Sequence, residues 1–386
     1  MASNVGAMVF AVSAFPLAEL LGEYRGFFSK PQFRHFQNMV AGLILNGRGE
    51  KNIQDIAANA LDGRSQSSVN RFLRSRKWSP EAVDRHRLER HAGGRSGGVL
   101  VLDDTLVEKS GREMEGTGYL YDHSQHRNVW CHCFVTTMYS NDDERVPLHL
   151  EPYVKEEACV SSGRAFRTKN ELAVDLVDRA LEYVRPRVVV FDSWYGSQAV
   201  MKHIDSLDLV FVTESKSNRL IENGEDKMQV RNYLACHRDG FDELKEPSTE
   251  YRFAHEVVSE IKGGIVVKFV FLKKEPNDDG ALVLMTNALD MKADDVICSY
   301  KRRWDIEVYY RDCKQCLGMG EYQVRSIDVG VIHLLLVNLA YTLLKGIAGS
   351  GLFQHVFHGA RSIGAMCEAL KRFAAIDLRK AWRGRG

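Results

Sequence analysis

The chain has 386 residues, with 52 Lys/Arg against 51 Asp/Glu and 45% hydrophobic residues, which fits a soluble enzyme of two or three domains. The eight cysteines show no secretory disulfide framework, and no internal repeat or low-complexity tract is present. The formal net charge of +1 is unevenly spread: residues 1–98 carry 14 Lys/Arg against 8 Asp/Glu, and residues 299–386 carry 14 against 7, so the middle is acidic. Basic ends around an acidic centre suit flanks that grip a polyanion and a core that concentrates carboxylates.

Ala7–Phe15 is apolar, but no basic residue precedes it, so it fails the secretion-signal pattern. Residues 1–92 read as a helical domain, with Phe33, Phe36, Met39, Val40, Leu43 and Ile44 at helical spacing. A second unit follows. Ile53, Ile56, Ala57 and Ala60 precede the turn Asp62-Gly63-Arg64-Ser65, and Val69, Phe72 and Leu73 come after it, as in a helix-turn-helix. Arg71, Arg74 and Lys77, with Asn70 and Arg76, lie on or just after its second helix, where phosphate and base contacts would be made. Gly93–Gly98 reads as a hinge or linker.

Val99–Leu102 is a short apolar run ending in Asp103-Asp104-Thr105, and Arg187–Phe191 is a β-branched run ending in Asp192-Ser193-Trp194-Tyr195-Gly196. Both predict buried strands with an acid at the carboxyl end, where α/β sheets place ligands. Adjacent side chains on a strand diverge, so only one of Asp103 and Asp104 points to a shared site, and the other would hold a ligand or a basic group. Tyr119–Tyr121 and Val129–Tyr139 predict an antiparallel pair, with His123 and His126 in its turn. Asn170–Tyr183 predicts an amphipathic helix; a Ser197–Ile204 helix and a Leu209–Thr213 strand follow the Asp192 strand. Residues 99–216 thus form the first part of a core. Residues 217–288 break the rhythm with strands at Tyr251–Val258, Gly264–Phe271 and Ala281–Thr286, a β-rich insertion. Residues 289–327 return to helix, and residues 328–386 form a helical C-terminal region ending in a basic tail. Val329–Leu344 is interrupted by His333 and Asn338 and is short for a bilayer, which favours a buried helix.

In Cys298–Lys314, Tyr300, Arg303, Glu307 and Lys314 are spaced by 3, 4 and 7 residues. On one helix, at about 100° per residue, their bearings fall near 0°, −60°, −20° and −40°, a single face. One carboxylate between two cations and a phenol suits a metal beside phosphate oxygens. Two strand-end acids and Glu307 can supply hard oxygen ligands for Mg²⁺ or Mn²⁺. Two such ions would serve phosphoryl displacement. Cys131-His132-Cys133 and Cys313-x-x-Cys316 lack the four convergent ligands of a zinc site and read as reduced, partly buried thiols.

The order Asp, Asp, Glu with Y-x2-R-x3-E-x6-K around the Glu, the D-x-T of Asp103 and Thr105, and FDSWYGS around Asp192 resemble the DDE transposases of bacterial insertion sequences, most closely the IS-4 superfamily. The likeness runs over residues 99–325. It implies an α/β, RNase H-like (retroviral-integrase-like) core with the β-rich insertion. Asp103, Asp192 and Glu307 would be the catalytic residues that hold two Mg²⁺ ions, for which Mn²⁺ substitutes; Tyr300, Arg303 and Lys314 would hold transposon-end DNA. It also implies double-stranded DNA as partner, both terminal inverted repeats and target, a homodimer on DNA, no membrane, and a cytoplasmic, nucleoid-associated protein. The activity implied is cleavage at the element ends and strand transfer, cut-and-paste, with hairpin ends a common route. A non-catalytic DNA-binding relative and an RNase H-like nuclease without strand transfer are the alternatives. Trp194 is a candidate for base stacking or turn packing; Lys109, Arg112, Lys216 and Arg219 are candidates for phosphate contacts.

Overall fold

The computed structural model describes residues 16–60, 65–223, 226–238, 240–349, 354–357 and 359–383. The segment Ala7–Phe15 and the turn residues Asp62, Gly63 and Arg64 lie outside them.

Helices α1 (Pro16–Gly22), α2 (Lys30–Leu45), α3 (Ile53–Ala58), α4 (Gln66–Leu73) and α5 (Pro80–His91) come first. α2 buries Phe36, Met39, Val40, Leu43 and Ile44, the face that the spacing predicts. α3 and α4 start at side-chain caps, with Asn52 accepting from the Asp55 amide and Ser65 from the Ser68 amide. Val69, Phe72 and Leu73 of α4 turn inward, while Arg71, Arg74, Arg76 and Lys77 remain exposed.

The strands are β1 (Arg95–Ser96), β2 (Val99–Glu108), β3 (Gly118–Asp122), β4 (Arg127–Ser140), β5 (Arg145–Tyr153), β6 (Val184–Arg185), β7 (Val188–Phe191), β8 (Val210–Glu214), β9 (Leu220–Asn223), β10 (Asp226–Gln229), β11 (Asp242–Glu243), β12 (Phe253–Ile261), β13 (Ile265–Lys273) and β14 (Leu282–Thr286). Between and after them run α6 (Glu156–Ser162), α7 (Lys169–Leu181), α8 (Gln198–Ser206), α9 (Val230–Cys236), α10 (Ala293–Lys301), α11 (Trp304–Cys316), α12 (Ile327–Gly349), α13 (Gln354–Phe357) and α14 (Ile363–Arg383).

Among the described residues, a ten-stranded sheet has the order β11-β12-β13-β14-β8-β7-β2-β4-β3, and β5 shares the outer edge of β4 with β3. β2, β7 and β8 are mutually parallel; β4 runs antiparallel to β2, and β5 to β4. Side chains alternate between two cores. Val101, Val190 and Val212 face α2, α10, α11 and α12, whereas Leu100, Leu102, Val189, Phe191 and Phe211 face α7 and α8. In the 217–288 stretch, β9 and β10 form a two-stranded sheet of their own, whereas β14 pairs with β8, so β11 to β14 widen the main sheet.

Three local expectations need correction. Asp103 and Asp104 do not end their strand; β2 continues to Glu108, paired throughout with β4. β5 has no counterpart among the predicted strands; it carries Pro147 and Pro152, which an edge strand accommodates. Gly93–Gly98 is no free hinge: β1 pairs in parallel with β6, and the amides of Gly94 and Gly97 donate to the carbonyls of Tyr183 and Arg185.

The apolar Ile327–Ile347 segment of α12 is long enough to cross a membrane by length and composition, but 78% of its most apolar stretch is buried inside the protein. The two polar interruptions have partners there. His333 Nε2 lies 2.9 Å from the Gly318 carbonyl, and Asn338 accepts from Tyr309 Oη.

Candidate active site

Register alone sets the acids side by side. The β2–β7 ladder ends at Leu102 opposite Phe191, and the β7–β8 ladder ends at Phe191 opposite Thr213. The next residues on these three neighbouring strands are Asp103, Asp192 and Glu214. Beyond that point β2 and β7 separate, and an open cleft of about 1030 Å³ is lined by Asp103, Asp104, Asp192, Arg303, Glu307 and Lys314 among others.

Glu307 arrives from α11, but not on the continuous helix that the spacing predicts. α10 ends at Lys301 and α11 begins at Trp304. Through the junction, amides bond three residues back: Arg302 to Ser299, Arg303 to Tyr300 and Asp305 to Arg302. The junction is clamped to the β4–β5 turn. Buried Asp305 accepts from Ser140 Oγ at 2.5 Å and from Arg145 Nε at 2.6 Å, and Arg302 donates to the Asn141 carbonyl at 2.9 Å. Tyr310 Oη bonds Thr136 Oγ1 on β4, directly across from Asp103.

Arg303 bridges the acids. Its Nη1 donates to Asp103 Oδ2 at 3.1 Å and its Nη2 to Glu307 Oε1 at 2.6 Å. Tyr300 lies outside the cleft lining; its hydroxyl donates to Glu214 Oε2 at 3.1 Å, and its ring stands 5.9 Å from the Arg303 guanidinium carbon. Lys314 is solvent-exposed at the cleft wall. Asp192 folds back as an Asx turn, its Oδ1 accepting the amides of Trp194 at 3.0 Å and Tyr195 at 3.2 Å.

Burial, with the charges of Asp104 and Asp192, pushes Asp103 up to about 8, against the opposing pull of Arg303 and the Asp104 amide. Burial and the Asp104 charge also raise Asp192. Despite burial, Asp103 and Glu307 hold Arg303 above the ordinary arginine range. A cation placed among these acids would pull both carboxyl groups back down.

As donors, the acids suit a hard divalent cation, which takes carboxylate oxygens. Their spacing is not that of a ready-made cage: among the described residues, no three His, Cys, Asp or Glu side chains already group as metal ligands. Arg303 stands between Asp103 and Glu307, bonded to both.

Other predicted residues fall elsewhere. Arg71, Arg74 and Lys77 are exposed on or after α4, outside the cleft lining. Lys109 is buried, not presented to a polyanion; its Nζ donates to the carbonyls of Gly320 and Tyr322, both at 2.9 Å. Arg219 donates to the Gly196 carbonyl, while Lys216 lines the cleft. Trp194 is 43% exposed on the cleft wall and so does not fill a packed turn. His132 lies 2.8 Å from Tyr322 Oη and 2.9 Å from the Glu115 carbonyl, which occupies both ring nitrogens. Sequence reading missed Glu214, Lys169, Tyr195 and Tyr310. Glu214 alone had a signal, since it follows the predicted Leu209–Thr213 strand as the other acids follow theirs.

Two family models match. One, described as DDE superfamily endonuclease, covers residues 23–230 and spans Asp103 and Asp192. The other, described as archaeal putative transposase ISC1217, covers residues 146–345 and spans Asp192 and Glu307. No curated protein matches the chain. The mixed sheet with helices on both faces is consistent with the RNase H-like fold that the superfamily implies. Each model covers more than half of the chain, and this protein therefore belongs to the DDE superfamily of endonucleases as a DDE transposase.

Proposed function

We propose that the protein is a cut-and-paste transposase of the IS-4 type, which cleaves DNA at insertion-sequence ends and joins the freed ends to target DNA. The observation that carries the reading is the convergence of Asp103 and Glu307, 204 positions apart in the sequence, on one guanidinium, with Asp192 in the same cleft. In this reading Asp103, Asp192 and Glu307 hold two Mg²⁺ ions. When bound, these ions supply the charge that lowers the pKa of attacking water and neutralises the departing 3′ oxygen.

The chain's own residues do the rest. Arg303, once displaced from Asp103 and Glu307, takes a non-bridging phosphate oxygen through its planar fork. Lys314 neutralises a neighbouring phosphate, and Tyr300 hydrogen-bonds the strand being cut after leaving Glu214. A set of two cations and a phenol beside the acids suits excision through hairpin ends. Arg71, Arg74 and Lys77 hold the terminal inverted repeat, and two copies of the chain pair the element ends on DNA. The site of action is the cytoplasm, at the nucleoid.

The test is supercoiled plasmid carrying the element ends, incubated with Mg²⁺ or Mn²⁺ and the parent protein beside Asp192→Ala and Glu307→Ala. Nicking, end release and strand transfer are expected from the parent and from neither variant. Full activity in either variant overturns the site. Cleavage without joined products would make the protein a nuclease.

A further inference from the structure

Asp103 and Asp104 are adjacent acids on β2, and their hydrogen bonds separate their roles. Both oxygens of Asp104 are already engaged. Oδ1 accepts from Tyr195 Oη at 2.8 Å; Oδ2 accepts from Lys169 Nζ at 2.8 Å and from the Cys133 thiol at 3.4 Å. Among the described residues, the Asp103 carboxylate accepts from Arg303 and from its neighbour's amide, and Arg303 is a side chain that can leave.

Tyr195 is the connection. Its side chain is fully buried, its hydroxyl bonds Asp104, and its amide donates to Asp192 Oδ1 at 3.2 Å. One residue therefore ties the carboxylate of Asp104 on β2 to the carboxylate of Asp192 after β7. Lys169, at the first turn of α7, completes the clamp and lies 5.0 Å from the Trp194 ring centroid, so the Asp192 turn is held from both sides. The turn lies just past the last paired residues of β2 and β7, because that register stops at Leu102 and Phe191.

We propose that Asp104 is a positioning residue for Asp192, acting through the Tyr195 hydroxyl and with Lys169, and is not itself a metal ligand. The proposal rests on the reading of Asp103, Asp192 and Glu307 as metal ligands and deepens it. Partners that orient metal ligands commonly cost about 10–100-fold in metal affinity when removed.

The test is Mn²⁺ binding to the full-length protein without DNA, read as loss of the free-ion electron paramagnetic resonance signal. The proteins compared are the parent, Tyr195→Phe, Asp104→Ala, the double variant and Asp192→Asn; thermal unfolding is recorded for each. Tyr195→Phe deletes one oxygen and leaves the buried ring. It is expected to weaken Mn²⁺ binding by about tenfold or more, with the double variant no weaker than Asp104→Ala alone. Folded variants with parental Mn²⁺ affinity, or with a shifted melting point only, overturn the positioning role. Additive losses from the two substitutions overturn the route through Tyr195. An Asp104→Ala loss as large as that of Asp192→Asn, with Tyr195→Phe unaffected, makes Asp104 a ligand and also overturns it. Failure of the underlying site looks different: no Mn²⁺ binding by the parent, or Asp192→Asn binding like the parent.

Discussion

Arg303 occupies the space between two acids, so its removal should strengthen divalent-cation binding even as it lowers turnover. If the acids hold the metal as proposed, its entry breaks the contacts of Arg303 to Asp103 at 3.1 Å and Glu307 at 2.6 Å. A hydrogen bond between charged groups is worth about 1.5–3 kcal/mol net. The Arg303 side chain is 22% exposed, so solvent weakens both contacts and the lower end applies. The pair then opposes metal entry by about 3 kcal/mol, close to a 100-fold change in the binding constant. Arg303→Ala should accordingly bind Mn²⁺ more tightly than the parent in the absence of DNA, by at least about tenfold and up to about 100-fold. Cleavage of plasmid should fall, since no guanidinium remains for the phosphate. In the parent, DNA that draws Arg303 away should raise Mn²⁺ affinity, and Mn²⁺ should raise DNA affinity by the same factor. Titration of free Mn²⁺ at about 0.1 M salt, where the Debye length is about 10 Å, measures each term. Unchanged or weaker Mn²⁺ binding in Arg303→Ala would refute the reasoning, because it would mean that the guanidinium supports the site and does not compete for it.

Other expectations follow from the same geometry. Replacing Arg71, Arg74 and Lys77 together by Ala should weaken DNA binding at all sequences and flatten the log–log salt dependence by about one for each phosphate no longer neutralised, checked by fluorescence anisotropy across a salt series. Arg87, fully buried, donates to Asp84 at 2.7 Å and to the carbonyls of Pro147 and Leu148 at 2.6 and 2.8 Å, so Arg87→Ala should destabilise the fold by about 3–5 kcal/mol in denaturant unfolding. His132 and His333 are fully buried, and burial pulls both down to about 4. The unfolded chain takes up these protons near pH 6.5 while the folded chain refuses them, so stability should fall as pH drops from about 6.5 to about 4. The shift at His333 corresponds to about 3 kcal/mol, and His333→Asn should flatten the fall in melting temperature over that range.

The acids were legible because each follows a feature that local chemistry dictates. Val99–Leu102 and Val188–Phe191 are apolar on both faces, as strands covered on both sides must be. Their meeting, however, depends on parallel register, which the chain leaves open until β2 and β7 are aligned. The same alignment exposes Glu214. Its strand was read correctly, but an acid one step past a strand is unremarkable until two neighbouring strands carry acids at the same level.

The Glu307 stripe shows where periodicity stops informing. The arithmetic of 3.6 residues per turn sees only the continuing apolar pattern, in which Ile297, Ile306, Tyr309 and Cys313 are all buried. It cannot see Ser140 and Arg145, some 160 positions earlier, pulling Asp305 onto the β4–β5 turn and tightening the chain at Arg302 and Arg303. That pull has a consequence for the site. With Arg303 at the start of α11 and not midway along a longer helix, its fork is placed to reach back to Asp103 while still touching Glu307 one turn on. Tyr300, left on the preceding helix, turns instead to Glu214. Release of the Asp305 clamp should therefore loosen Arg303 and Glu307 together. Asp305→Asn, which keeps an acceptor for Ser140 but gives up the charge facing Arg145, should lower cleavage without abolishing it, and Asp305→Ala should lower it further. Equal activity in the parent and Asp305→Ala would mean that the junction is held by α11 packing alone.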